Sequence, residues 1–246
     1  MKKLLSLFFI LSLMFSLCAC GLNDPSQTAE PAGDSDMETI SEESDTFQSA
    51  RSEMDADVQQ SPEEEKILIA YFTWAENNYV EDPNAVDVDA TTSASVLPPG
   101  NVAQMALWIQ EEVGGDMFSI RVREPYPSDY DGCLDRAADE KAVSARPELM
   151  EQVEDMSGYD TVFLGYPNWR YTAPMPVFSF LEENDLSGKK VVLFCSHGTG
   201  GLASSVQDLS AVLQGSEVEG NVIGVYRDEV SSSQDTIKEW LRESGY

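Results

Sequence analysis

Residues suited to chemistry concentrate in three stretches of the chain. Gly165-Tyr166-Pro167-Asn168-Trp169-Arg170-Tyr171-Thr172-Ala173 sets two large π surfaces, Trp169 and Tyr171, beside the guanidinium of Arg170. Such rings stack on flat polycyclic ligands. A guanidinium stacks as well, or stands beside a developing negative charge. The other reading of Trp169 is packing beneath the following helix. Cys195-Ser196-His197-Gly198-Thr199-Gly200-Gly201 carries three glycines in a short run. That suits backbone folded tightly around a ligand, with N–H groups turned to ring carbonyls. Ser196 and His197 raise the idea of a nucleophile and base, but sequence neighbours rarely face each other and no G-x-S-x-G turn is present. His197 as an ordinary loop residue with its hydrogen bonds satisfied is the alternative. The third stretch pairs Thr73 and Trp74 with Gly100-Asn101 just ahead of a helix, where free N–H groups and the helix dipole favour an anion. An ordinary loop and cap would look the same. Between them lie roughly twenty-five residues, against about 2–6 in most strand-to-helix loops. Glu76, Glu81, Asp82, Asp87 and Asp89 fall there and would repel a phosphate at close range.

The elements needed to position these stretches can be read from hydropathy. Lys66 to Phe72 is a continuous apolar run, the mark of a strand buried on both faces. Met117–Val122, Thr161–Gly165, Lys190–Cys195 and Asn221–Tyr226 read as four further strands. Helical spacing covers Val102–Val113, Tyr130–Ala145, a segment from Pro174 or Pro176 through Leu181, Leu202–Leu213 and Ser233–Glu243. Strands alternating with helices predict an α/β, doubly wound, five-stranded parallel sheet with helices on both faces. Ligands bind beyond the carboxyl ends of such strands, near the switch point. That rule selects the same three stretches.

The ends of the chain carry a different message. Lys2-Lys3 followed by the uncharged run Leu4–Leu17 reads as an export signal, shorter than the ~20 residues that span a bilayer. Leu17-Cys18-Ala19-Cys20-Gly21 is similar to a bacterial lipobox, with residues 1–19 removed and Cys20 acylated. Two or more acyl chains hold a protein at a membrane surface. Two lysines are not a twin-arginine signal, so the chain crosses unfolded and acquires any cofactor outside. Residues 20–65 are rich in Glu, Asp, Ser, Gln and Pro and cannot offset the entropy of ordering; they read as an acidic tether of roughly 35–40 Å. Residues 66–246 are one domain's worth of chain. The net charge of −29 argues against nucleic acid and anionic lipid head groups as partners. Cys133 and Cys195 show no metal-ligand spacing, and the single histidine excludes multi-histidine metal sites. A disulfide between the two cysteines stays open.

Several short segments, taken in order, resemble one family. Ile67-Leu68-Ile69-Ala70-Tyr71-Phe72-Thr73-Trp74, Glu124-Pro125-Tyr126-Pro127, Ala145-Arg146-Pro147, Phe163 through Trp169, Leu186-Ser187-Gly188-Lys189 and Phe194-Cys195-Ser196-His197-Gly198 are similar to bacterial flavodoxin-like proteins. The resemblance implies strand order 2-1-3-4-5 and FMN held between the three stretches. Thr73, Trp74, Gly100 and Asn101 then map to the phosphate end. Pro167, Asn168, Trp169, Arg170, Tyr171 and Thr172 map to one side of the flavin ring, and Ser196, His197, Gly198, Thr199 and Gly200 to its other edge. Three departures stand out. The first loop is Thr73-Trp74-Ala75-Glu76-Asn77-Asn78 with an acidic insertion, where relatives carry a Ser/Thr-x-Ser-Gly-Asn-Thr type of sequence. Arg170 follows Trp169 where relatives often have a second tryptophan, and Thr199 replaces a common glycine.

The resemblance implies an FMN-dependent electron carrier or small reductase; the lipobox places it on the extracytoplasmic face of the membrane, and the acidic charge favours a basic redox partner. The competing expectation is a flavodoxin-fold lipoprotein that has lost FMN and binds another ligand or partner. The lipobox reading makes its own prediction. Cys20→Ala is expected to move the protein from the membrane fraction to the soluble extracytoplasmic fraction and to abolish the acyl mass increment. Unchanged membrane partition of the variant would refute acylation at Cys20.

Overall fold

A computed structural model describes residues 65–246; the export signal, Cys20 and the tether through residue 64 lie outside the described residues. In chain order the elements are β1 (Ile67–Tyr71), α1 (Val88–Ala94), α2 (Asn101–Val113), β2 (Asp116–Ser119), α3 (Tyr130–Ala142), β3 (Thr161–Pro167), α4 (Met175–Glu183), β4 (Lys190–His197), α5 (Ser205–Val212), β5 (Glu217–Val218), β6 (Ile223–Tyr226) and α6 (Gln234–Glu243). No helix among the described residues is long and apolar enough to cross a membrane.

The strands form one parallel sheet in the order β2-β1-β3-β4-β5, with β6 also paired to β4. The doubly wound order expected from the sequence is therefore present. The fifth position differs in detail. It is filled by two short strands, β5 against Lys190-Val191 and β6 against Phe194–His197. Val192 and Leu193 on β4 face Glu219 to Val222, so two extra residues bulge from the edge and break the ladder.

Period-two side-chain alternation explains why the central strands are apolar throughout. Leu68, Ala70, Val162, Leu164, Val191 and Leu193 point to one face and pack with Val177, Phe180 and Leu181 of α4 and Leu209 of α5. Ile69, Phe163, Val192 and Phe194 point to the other, under Met105 and Ile109 of α2 and Ile237 and Trp240 of α6. Both faces of the sheet are thus covered by helices.

The long first loop is ordered by its own contacts. It holds a 3-10 turn at Trp74–Glu76 and the short helix α1, whose N-cap carboxylate Asp87 accepts from the N–H groups of Asp89 and Ala90. Val-Asp-Ala-Thr-Thr-Ser has little helix propensity, so the sequence alone predicts loop over this segment. Its anchor is the buried amide of Asn77. Nδ2 donates to Thr73 O at 2.8 Å and Ile120 O at 3.0 Å, and Oδ1 accepts from Val122 N at 2.8 Å. Gly100 then lets the chain return to β1. Its φ is +78°, and a Cβ there would lie 2.2 Å from Thr73 Oγ1.

Asn77→Ala would leave two carbonyls and one N–H buried without partners. It is expected to lower stability by about 2–4 kcal/mol in urea unfolding. Asn84→Ala, an exposed change in the same loop, should leave the midpoint unchanged.

Candidate cofactor site

A cavity of about 280 Å³ opens at the carboxyl ends of β1, β3, β4 and β6, where strand order reverses between β1 and β3. All of the sequence-predicted site residues except Gly100 and Thr172 line it. Those two stand behind the wall. Gly100 makes room for Thr73, as above. Thr172 is buried, and its hydroxyl donates to Asp208 Oδ2 at 2.6 Å. Residues that sequence reading did not select also line the cavity: Tyr130, Cys133, Leu134 and Ala137 from α3, Val102 of α2, and Arg227 just after β6. Helical spacing put the α3 residues on one face, but no motif marked that face as part of a site.

The loop after β3 is a two-residue hairpin. Trp169 and Thr172 exchange backbone hydrogen bonds at 2.9 and 3.1 Å, and Arg170 and Tyr171 at the tip have φ of +52° and +70°. Both angles lie in the left-handed region that such a turn requires, at a cost of order 1 kcal/mol per non-glycine residue. Anchors offset that cost. Lys141 Nζ donates to Arg170 O at 2.7 Å, Ser204 N donates to Tyr171 O at 3.2 Å, and the Ser204 hydroxyl lies 2.8 Å from the same oxygen. Tyr171 is 68% exposed, and its ring lies 3.3 Å from where a Cβ on Gly200 would stand, so it spans the mouth toward the loop after β4. Asn168 ties these two loops together, its N–H to Ser196 O at 2.8 Å and its side-chain amide to Gly201 O.

Trp169 is packed against the core and within an aromatic cluster. It meets Phe72, Trp74 and Tyr126 edge-to-face, with centroids 5.4, 6.2 and 5.2 Å away. Its remaining surface faces the cavity. Tyr126 is locked from behind. Its hydroxyl donates to Glu140 Oε2 at 2.5 Å, and the Arg136 guanidinium lies 4.0 Å from its ring centre and 2.8 Å from Glu140. Burial, then the Glu140 charge, push the Tyr126 phenol far above its usual range. Burial likewise pushes the Cys133 thiol up, so this wall residue is a neutral thiol. Cys133 and Cys195 are both free and buried.

The electrostatics are one-sided. Arg170 and Arg227 line the cavity, and no Asp or Glu does among the described residues, in a chain of net charge −29. None of the first-loop carboxylates lines the cavity, and two of them have other partners. Glu76 accepts from the Tyr71 hydroxyl at 3.1 Å and from the Ser119 hydroxyl. Burial and Glu76 together push Tyr71 up to about 12. Asp87 accepts from the N–H of Tyr130 at 3.1 Å, bracing the N-terminus of α3. Ser196 and His197 form no nucleophile–base pair. Ser196 Oγ accepts from Asn101 Nδ2 at 3.2 Å, and His197 Nδ1 lies 2.9 Å from Gly198 O.

Sheet order, helix cover and a cleft between the ends of β1, β3 and β4 define a flavodoxin-like α/β protein. The flavodoxin family model matches residues 90–244, and the chain belongs to that family. Among solved structures it is similar to a candidate flavoprotein of Bacteroides eggerthii, at 26% identity over 72% of this chain and 96% of that one, with a TM-score of 0.54. A candidate flavoprotein of Bacteroides uniformis shares the fold at 23% identity, 73% and 99% coverage and a TM-score of 0.55. The Lactobacillus acidophilus flavoprotein solved in complex with FMN is more distant, at 19% identity, 71% and 99% coverage and a TM-score of 0.49. No curated protein matches the chain.

The aromatic cluster carries a stability prediction. Trp169→Ala removes three edge-to-face contacts at once and is expected to cost about 3 kcal/mol in chemical denaturation. Trp169→Phe should recover most of that loss.

Proposed function

We propose that this chain is an FMN-binding electron-transfer flavoprotein, acting as a carrier between redox proteins or as a small flavin-dependent reductase. The observation that carries this reading is the cleft itself. Its wall holds aromatic rings and two arginines and, among the described residues, no carboxylate, although the chain is strongly acidic. A flat ligand bearing negative charge fits that combination, and FMN is the ligand of that description which the family resemblance implies. In this reading Trp169 and Tyr171 face the ring, and the N–H groups of residues 196–200 reach its pyrimidine edge. Thr73, Asn101 and the first N–H groups of α2 meet the phosphate. Bound FMN supplies the redox chemistry, while the protein orients it and sets its potential. Beyond His197 no side chain of the wall is an obvious acid or base, and no dedicated catalytic residue is assigned.

The export signal and the lipobox at Cys20 support action on the extracytoplasmic face of the membrane, at the end of an acidic tether, with FMN acquired after export. The acidic excess supports a basic redox protein as partner, drawn in by long-range attraction and met transiently. It also disfavours nucleic acid.

Titration with FMN, followed by quenching of flavin fluorescence, tests the reading. One-to-one binding is expected. Tyr171→Ala removes an exposed ring with no core role and should weaken FMN binding about 3- to 10-fold without changing stability. A colourless protein that leaves FMN fluorescence unchanged at high micromolar concentration would favour the competing expectation, a flavodoxin-shaped module for a different ligand.

A further inference from the structure

We propose that Arg227 is the cationic anchor of the cleft, holding an anionic oxygen of the flavin; the role rests on the flavin-binding reading above. Sequence reading gave no reason to select this residue. It follows β6, outside the three stretches, and only the pairing of β6 with β4 brings it to the cavity. Its backbone is fixed on two sides. Arg227 N donates to His197 O at 2.8 Å, and Arg227 O accepts from Asn101 Nδ2 at 3.0 Å. Its guanidinium lies over Gly198, where a Cβ would stand 3.1 Å from Nη1, so glycine at 198 leaves room for the arginine.

The charge is only partly matched within the protein, by exposed Asp228 at 3.6 Å and the Tyr226 ring, whose centre lies 5.7 Å from Cζ. Arg121, Arg123, Arg136 and Arg146 each lie within 2.8 Å of a carboxylate, and Arg242 donates to Lys238 O. Among the described residues, the two arginines whose guanidinium makes no hydrogen bond are Arg170 and Arg227, and both line the cavity. Arg227 Nε is buried without a hydrogen-bond partner, its nearest carboxylate being exposed Asp228 at 3.6 Å. The terminal nitrogens make no hydrogen bond within the protein, and an anionic oxygen in the cavity can accept from them and meet the charge. A flavin offers such oxygens at its phosphate and, once reduced, at its pyrimidine edge. The first loop supplies one hydroxyl, Thr73, in place of a Ser/Thr-rich phosphate loop, so a cation from elsewhere completes the site.

The experiment compares wild type, Arg227→Gln and Arg227→Lys in the full mature chain. It measures FMN and riboflavin affinity and the midpoint potential of the bound flavin, with circular dichroism as a folding control. If the anchor holds the phosphate, Arg227→Gln should weaken FMN roughly 10- to 100-fold and leave riboflavin unchanged. If it holds the reduced pyrimidine edge, oxidised binding should stay constant and the potential should move to more negative values. Arg227→Lys should restore part of either effect. Folded Arg227→Gln with unchanged FMN preference and unchanged potential would overturn the anchor while leaving FMN binding intact. Wild-type protein that binds neither flavin would overturn the flavin reading and the anchor with it.

Discussion

The buried amide of Asn77 joins the exits of β1 and β2 through three hydrogen bonds to backbone groups that would otherwise end in the core. A parallel sheet leaves each strand's carboxyl end open, and those ends must be closed by loops whose polar groups find partners. Asn77 does this where the first loop leaves the sheet. With Thr73 O held, Trp74 turns inward, and its Nε1 reaches Pro127 O at 3.0 Å. Tyr126, one residue earlier, bonds through its N–H to Asn77 O at 2.8 Å. Trp74 and Tyr126 are then the surfaces on which Trp169 packs. The aromatic wall of the cleft therefore depends on an asparagine that does not touch the cavity.

Charge is arranged on two length scales. Charges exposed to solvent are screened by salt beyond about 8 Å. Two arginines line the cleft, while Glu76 and Asp87 of the first loop are taken up as a hydrogen-bond acceptor and a helix cap. A ligand inside the cleft responds to the local cations, and a protein approaching from solution responds to the whole charge. A cleft with local cations can therefore favour an anionic ligand even within an acidic chain.

Much of this was legible in the sequence because it is written in contiguous residues. β1, β3 and β4 stand out as unbroken apolar runs, and the stretches that follow them do converge on one cavity. What was not legible depends on pairings between distant residues. Nothing in the sequence around Tyr130, Leu134 and Ala137 marks α3 as a cavity wall. That role follows from Asp87 holding the Tyr130 N–H and from Arg136 bonding the Pro125 and Glu124 carbonyls. Arg227 lies beside Gly198 only because β6 continues the sheet edge after a bulge. Helix α1 was read as loop because its stability comes from one cap and from packing Ala90 into the core, not from propensity.

The pair Trp169-Arg170 illustrates how a local departure acquires meaning from backbone geometry. Read as a string, arginine in place of a second tryptophan is the loss of a stacking ring. In the folded chain, residues 170 and 171 occupy the two left-handed positions of a hairpin, so both side chains leave from its tip. Tyr171 takes the exposed place over Gly200 that a ring at the mouth would need, and Trp169 is held by the aromatic cluster. An aromatic ring therefore still stands at the mouth, and residue 170 carries charge beside it. The hairpin can hold this arrangement without glycine because Lys141 and Ser204 bind the two tip carbonyls. The composition of the turn and the anchors on α3 and before α5 therefore belong to one solution, in which a strained tip presents an aromatic face and a cation to the same cleft.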